Sequence, residues 1–138
     1  MKPLVIDSSV SVKWVNQINE ELLEQADKLL ADTQAGLVIL LAPELSKYEI
    51  GNALIKKKLD LYKAFESLGT VYQLPITFVP ETENLANQTY QIAQQTGITY
   101  YDASFMALAK QENAVLITDN TKHQGKTQDI KVIPLKDY

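Results

Sequence analysis

The chain contains no cysteine. A disulfide framework, a zinc–thiolate site and a cysteine nucleophile are therefore excluded, and the sequence suits a reducing compartment. Arginine is also absent, so all 13 basic residues are lysine. Lysine can hold a phosphate as a point charge but lacks the planar fork needed for bidentate recognition. Histidine occurs once, at His123, and reads as an ordinary surface residue. The five glycines do not cluster, so there is no Gly-rich phosphate loop, and no serine sits in a nucleophile elbow. Long apolar runs are missing as well. The longest, Leu37–Ala42, falls far short of the ~20 residues of a membrane span. Met1-Lys2-Pro3 leads straight into an apolar run without a signal-peptide pattern, so a cytoplasmic protein is expected.

What is present is ordinary in amount. The chain has 138 residues, 46% hydrophobic and 22% charged, which suits one domain, 1–138, with a substantial core. The net charge of −4 argues against a generic nucleic-acid binder. Charge is unevenly spread, however: between Pro43 and Lys63 five lysines face three acids.

The pattern alternates strands and helices. Leu4–Asp7, Leu37–Leu41, Ile76–Val79, Ala114–Ile117 and Lys131–Ile133 read as short strands. Ser8–Val15, Glu21–Ala31, Glu44–Lys58, Asp60–Tyr72, Glu81–Gln95 and Tyr101–Glu112 read as helices. Pro43 is expected at the start of the third helix and Gly97 as the carboxyl cap of the fifth. Leu61, Ala64, Phe65 and Leu68 fall on one face of the fourth. Such alternation predicts an α/β fold, with a mostly parallel central sheet covered by helices on both faces.

Four acids stand at the joints of this pattern. Asp7 ends the first strand, Glu49 lies in the third helix, Asp102 opens the sixth, and Asp119 follows the fourth strand. In an open α/β sheet, strand ends converge at the carboxyl edge, where ligands bind. Taken singly, each acid has a plain explanation. Asp7 could cap a helix, Glu49 could be a solvated surface residue, Asp102 could be a cap, and Asp119 with Asn120 could form a turn. Glu49 and Asn52 share a helix face, and Asp102 heads the apolar spacing Phe105, Met106, Ala109. Converged carboxylates repel one another and are costly to bury without cations or protons. A hard divalent cation with oxygen ligands resolves that repulsion. Without one, at least one carboxyl is expected to titrate high.

These residues also carry a resemblance. Val5-Ile-Asp-Ser-Ser-Val-Ser-Val-Lys-Trp14, Ala42-Pro-Glu-Leu45 with Tyr48-Glu-Ile-Gly-Asn-Ala-Leu54, Tyr101-Asp-Ala-Ser-Phe-Met-Ala-Leu-Ala109 and Leu116-Ile-Thr-Asp-Asn120 together resemble the four motifs of PIN domains of the VapC toxin type. The resemblance covers nearly the whole chain. It implies a Mg²⁺- or Mn²⁺-dependent endoribonuclease, the toxin of a toxin–antitoxin pair. It also implies an RNA substrate, a small antitoxin partner and a homodimer. Asp7, Glu49, Asp102 and Asp119 are then the catalytic acids and metal ligands, with Asn120 as an alternative fourth ligand. Ser9, Asn52 and Thr118 would support them, and Lys13, Lys47 and Lys56 would contact phosphate. The fourth motif departs from the family pattern. The family has Thr, any residue, then Asp; here Thr118 and Asp119 are followed by Asn120. Either Asp119 turns inward or an uncharged carboxamide fills the place. Asn120 also motivates a rival from another class, a PIN-like binding or assembly module with weakened catalysis.

Overall fold

Strands and helices alternate as β1 (Lys2–Ile6), α1 (Ser8–Val15), α2 (Leu23–Gln34), β2 (Val38–Pro43), α3 (Ser46–Lys56), α4 (Leu61–Val71), β3 (Ile76–Val79), α5 (Glu83–Thr96), α6 (Tyr100–Gln111), β4 (Val115–Thr118) and β5 (Val132–Pro134). The computed structural model describes residues 1–120, 127 and 129–138; His123 lies outside the described residues. Every strand pairing is parallel, in the order β3-β2-β1-β4-β5. The chain first builds outward from β1 through β2 to β3, then returns to place β4 on the other side of β1. The carboxyl ends of β1 and β4 therefore flank a topological switch point, the usual place for a ligand crevice in such sheets.

Side-chain alternation along the strands feeds two cores. Leu4 and Ile6 of β1, Leu40 of β2 and Ile117 of β4 meet Val10 of α1 and Leu29 of α2. Val5 and Leu116 point the other way, toward Leu85 and Ile92 of α5 and Phe105, Met106 and Leu108 of α6. Burial on both faces explains why these strands read as continuous apolar runs. Helix α6 is buried from Ala103 through Ala109. Phe105, fully enclosed, is among its largest buried side chains, and truncation to alanine is expected to cost about 3–5 kcal/mol. Asp102 thus stands on a rigid element. Gly97 ends α5 with φ 76°, the left-handed conformation that glycine adopts without Cβ strain, as the sequence predicts.

One expectation changes. Pro43 does not start a helix; it is the last residue of β2, in register with Val79 of β3. The ladder continues past it through the Glu44 amide, which donates to the Val79 carbonyl at 3.0 Å. A proline at a strand end removes no donor that the interior of the sheet requires. The apolar stripe of α4 is largely uncovered, with Leu61 63%, Phe65 59% and Leu68 37% exposed, while Ser67 and Val71 are buried.

Candidate metal centre

Asp7 leaves β1 with an extended backbone and becomes the amino cap of α1, its side chain accepting the Ser9 amide. The same carboxylate oxygen, Oδ2, accepts the Ser9 hydroxyl at 2.5 Å and the Thr118 hydroxyl at 3.1 Å. Ser9 Oγ also accepts the Asp119 amide at 3.1 Å, and Thr118 Oγ1 accepts the Asn120 amide at 2.9 Å. The β1–α1 turn and the end of β4 are therefore tied together by two hydroxyls. Capping and site-building are not alternatives here, because one buried carboxylate does both.

Glu49 lies in the first turn of α3. Its Oε1 accepts the Ser8 hydroxyl at 2.8 Å, and Ser8 Oγ lies 2.7 Å from Ser46 Oγ. Burial pushes the Glu49 carboxyl above the ordinary 4.5. The Ser8 hydrogen bond opposes this, and the negative charges of Asp7 and Asp102 add to it. The expected high-titrating carboxyl is thus Glu49. Asp102 sits in the first turn of α6, but that helix begins at Tyr100 and is capped by Thr99, whose hydroxyl accepts the Asp102 amide at 3.0 Å. Its carboxylate is not the cap.

A cavity of about 280 Å³ at the switch point brings together Asp7, Ser9, Glu49, Asn52, Lys56, Asp102 and Asn120, with Ser8 on its wall. Thr118 stays behind it, fully buried and bonded to Asp7. The donor set fits a hard divalent cation: three carboxylates and a carboxamide, all oxygen donors. Among the described residues, no three acidic or histidine side chains stand close enough to form a finished cage. Asp7 and Glu49 are held separately by their own hydroxyl tethers.

Three other candidates lie elsewhere. Lys13 is 2% exposed, and its ammonium pairs with Glu20 at 3.2 Å and Asp119 at 3.0 Å and donates to the Glu21 carbonyl at 2.7 Å. An enclosed ammonium with three acceptors cannot serve as a phosphate contact, so the sequence assignment of Lys13 is corrected. Asp119 is held outward by that pair and does not line the cavity; Asn120 does. Lys47 pairs with Glu44 at 2.8 Å and lies over the rings of Phe78 and Tyr72, outside the cavity lining. Ser8 and Ser46 were not singled out by the sequence reading. The available signal was spacing, since Ser46 precedes Glu49 by three residues and shares its helix face.

The sequence profile of the PIN domain matches residues 4–127. No curated protein matches the sequence. Among solved structures, the chain is similar to a toxin–antitoxin complex from Klebsiella pneumoniae, at 16% identity and TM-score 0.69 over 96% of this chain and 97% of the other. It is likewise similar to FitAcB from Neisseria gonorrhoeae, at 20% identity and TM-score 0.65 over 98% and 99%. A third is the Mycobacterium tuberculosis toxin VapC20, described as cleaving the sarcin-ricin loop, at 12% identity and TM-score 0.68 over 93% and 98%. At such identities the likeness carries the fold. The profile match spans most of the chain, and the chain belongs to the PIN domain family.

Proposed function

We propose that this protein is a divalent-metal-dependent endoribonuclease and the toxin of a toxin–antitoxin pair. The observation that carries the reading is the convergence of Asp7, Glu49 and Asp102 on one cavity at the β1/β4 switch point, in a chain of the PIN family. Asp7 and Asp102 would hold Mg²⁺ or Mn²⁺, with Asn120 offering its carbonyl oxygen. When bound, such an ion stabilises charge on phosphoryl oxygens and makes water more acidic. Glu49 would orient the attacking water and take its proton as the new P–O bond forms, while the bond to the leaving oxygen breaks and that oxygen is protonated from solvent. Ser9 and Thr118 fix the orientation of Asp7, and Ser8 fixes that of Glu49. Lys56, exposed at the cavity rim, contacts a flanking phosphate, and Asn52 hydrogen-bonds beside it.

A small antitoxin is the expected partner. The uncovered groove between α3 and α4, lined by Leu54, Ile55, Leu61 and Leu68, is apolar and suits an amphipathic segment. Several of the similar structures are themselves toxin–antitoxin complexes. The protein is expected to be a cytoplasmic homodimer, with exposed Tyr62 and Tyr72 as candidate contacts. Among the described residues, no helix is long and apolar enough to cross a membrane.

One observation favours a second reading, a PIN-like binding module with weakened catalysis: the uncharged Asn120 in the cavity, where the family motif carries an acid, together with the lack of a finished cage among the described residues. Purified protein, free of any antitoxin, separates the two. Cleavage of single-stranded RNA with Mg²⁺ or Mn²⁺, stopped by chelation, is expected for the enzyme. No cleavage of any RNA and no metal binding would leave the module.

A further inference from the structure

A second cavity, of about 180 Å³, lies beside the first at the same edge of the sheet. The two share the opening turn of α6: Asp102 lines the metal cavity and its neighbours Tyr100 and Tyr101 line this one. Its walls are mostly apolar, with Leu45, Val79 and Leu85, and Glu44 and Glu81 are among the polar residues of the lining.

The polar groups of this pocket have one character. Of its four side-chain hydroxyls, the three other than that of Tyr101 donate their protons within the protein. Thr89 donates to the Leu85 carbonyl at 2.7 Å, Ser104 to the Tyr101 carbonyl at 2.6 Å, and Tyr100 to Glu81 Oε1 at 2.6 Å. Burial and the Glu81 carboxylate push the Tyr100 phenol up to about 12, so it remains a donor to Glu81 at neutral pH. Apart from the Tyr101 phenol, what the lining side chains offer a ligand is therefore acceptors: carboxylate and hydroxyl oxygens. Tyr101, 60% exposed, adds an aromatic face at the mouth.

The geometry points to a guanine-selective base subsite, in which the nucleotide flanking the scissile phosphate inserts its base beside Tyr101 and presents its N1–H and N2–H₂ edge to Glu81, with Glu44 at the opposite rim. This rests on the ribonuclease reading above. Unstacked RNA bases are commonly recognised by aromatic stacking and by hydrogen bonds to their Watson–Crick edge. Guanine presents two adjacent donors there, matching the paired oxygens of a carboxylate. Uracil presents one donor between two carbonyls, which a carboxylate repels. A chain without arginine thus gains base selectivity from carboxylates.

The test uses fluorescein-labelled RNA hexamers, all uridine or with one guanosine, measured by anisotropy without divalent metal so that no cleavage intervenes. The guanosine hexamer is expected to bind at least about tenfold tighter. Tyr101→Ala and Glu81→Gln should each bring that preference to within about twofold of unity. Free guanosine, and not uridine, should compete on the unmodified protein, so the result does not depend on the variants folding. Equal affinity for both hexamers, a preference that survives both variants, or no RNA binding at all would overturn the assignment. Cleavage mapping separates the two claims. Guanosine-selective binding without cleavage under any metal sinks the nuclease reading alone, whereas metal-dependent cleavage with no guanosine preference sinks the subsite alone.

Discussion

Charge is handled in opposite ways at two places linked by α1. Behind the helix, Lys57, Glu20, Lys13 and Asp119 form an alternating chain: Lys57 pairs with Glu20 at 2.7 Å, Glu20 with Lys13 at 3.2 Å, and Lys13 with Asp119 at 3.0 Å. Each charge there has an opposite neighbour. In front, Asp7, Glu49 and Asp102 share a cavity, and the Glu49 carboxyl is pushed upward partly by the other two. The first arrangement is complete as it stands and spends its charge on structure. Among the described residues the second sets three carboxylates against the one ammonium of Lys56, an excess of negative charge that a cation or a proton would relieve. Asp119 belongs to the first set, although its sequence neighbours belong to the second.

Four outcomes sharpen this contrast. The largest is on catalysis: Asp102→Asn is expected to cut metal-dependent RNA cleavage by at least two to three orders of magnitude, since a lost ligand removes several kcal/mol of charge stabilisation. The fold should persist, because the Asp102 amide, not its carboxylate, meets the Thr99 cap. Circular dichroism alongside a cleavage assay checks both halves.

Next is stability. Lys13→Met removes a buried cation from two acids. Breaking a buried pair one-sidedly costs about 3–5 kcal/mol. The side chain of Asp119 is 34% exposed and that of Glu20 15%, so screening should reduce this to about 2–3 kcal/mol, readable by urea denaturation.

A smaller effect follows from Glu49. Its raised carboxyl means the folded state binds that proton more tightly than the unfolded chain does. The resulting stabilisation is fully present below the ordinary 4.5 and is lost as pH rises through the higher folded value. Metal-free protein should therefore lose this contribution on going from acid toward neutral pH. Glu49→Gln should flatten that part of the melting-temperature profile; an unchanged profile would show that Glu49 is not the strained group.

The smallest is Asp119→Asn. With the Asp119 side chain itself 34% exposed and Lys13 still paired with Glu20, the loss should stay below about 1 kcal/mol, and cleavage should remain within about twofold of wild type. Asn120→Asp, by contrast, should tighten Mn²⁺ binding in a calorimetric titration. A large catalytic loss in Asp119→Asn would mean that Asp119 turns inward after all.

How much of this could be read in the sequence depended on range. The sheet was legible because Val38–Leu41 and Val115–Ile117 pack against helices on both faces and so are apolar throughout. Asp7, Glu49 and Asp102 were legible because an α/β alternation brings strand ends and helix starts to one edge. Pro43 was misplaced because the same residue type suits a helix start and a strand end, and only the pairing with Val79 decides. Periodicity found the apolar stripe of α4 but could not say what covers it. Lys13 was beyond reach, since its burial is set by Glu20 and by Asp119, 106 residues further along the chain. The choice between Asp119 and Asn120 rests on that same distant contact.

The central claim is that the carboxylates of Asp7, Glu49 and Asp102 form a cation site. Titration of Mn²⁺ into the purified wild-type protein, followed by calorimetry and by melting temperature, tests it most directly. Saturable binding that raises the melting temperature, and that Asp102→Asn abolishes while Asp119→Asn does not, is the expected result. No binding heat and identical melting with and without millimolar Mn²⁺ would contradict it.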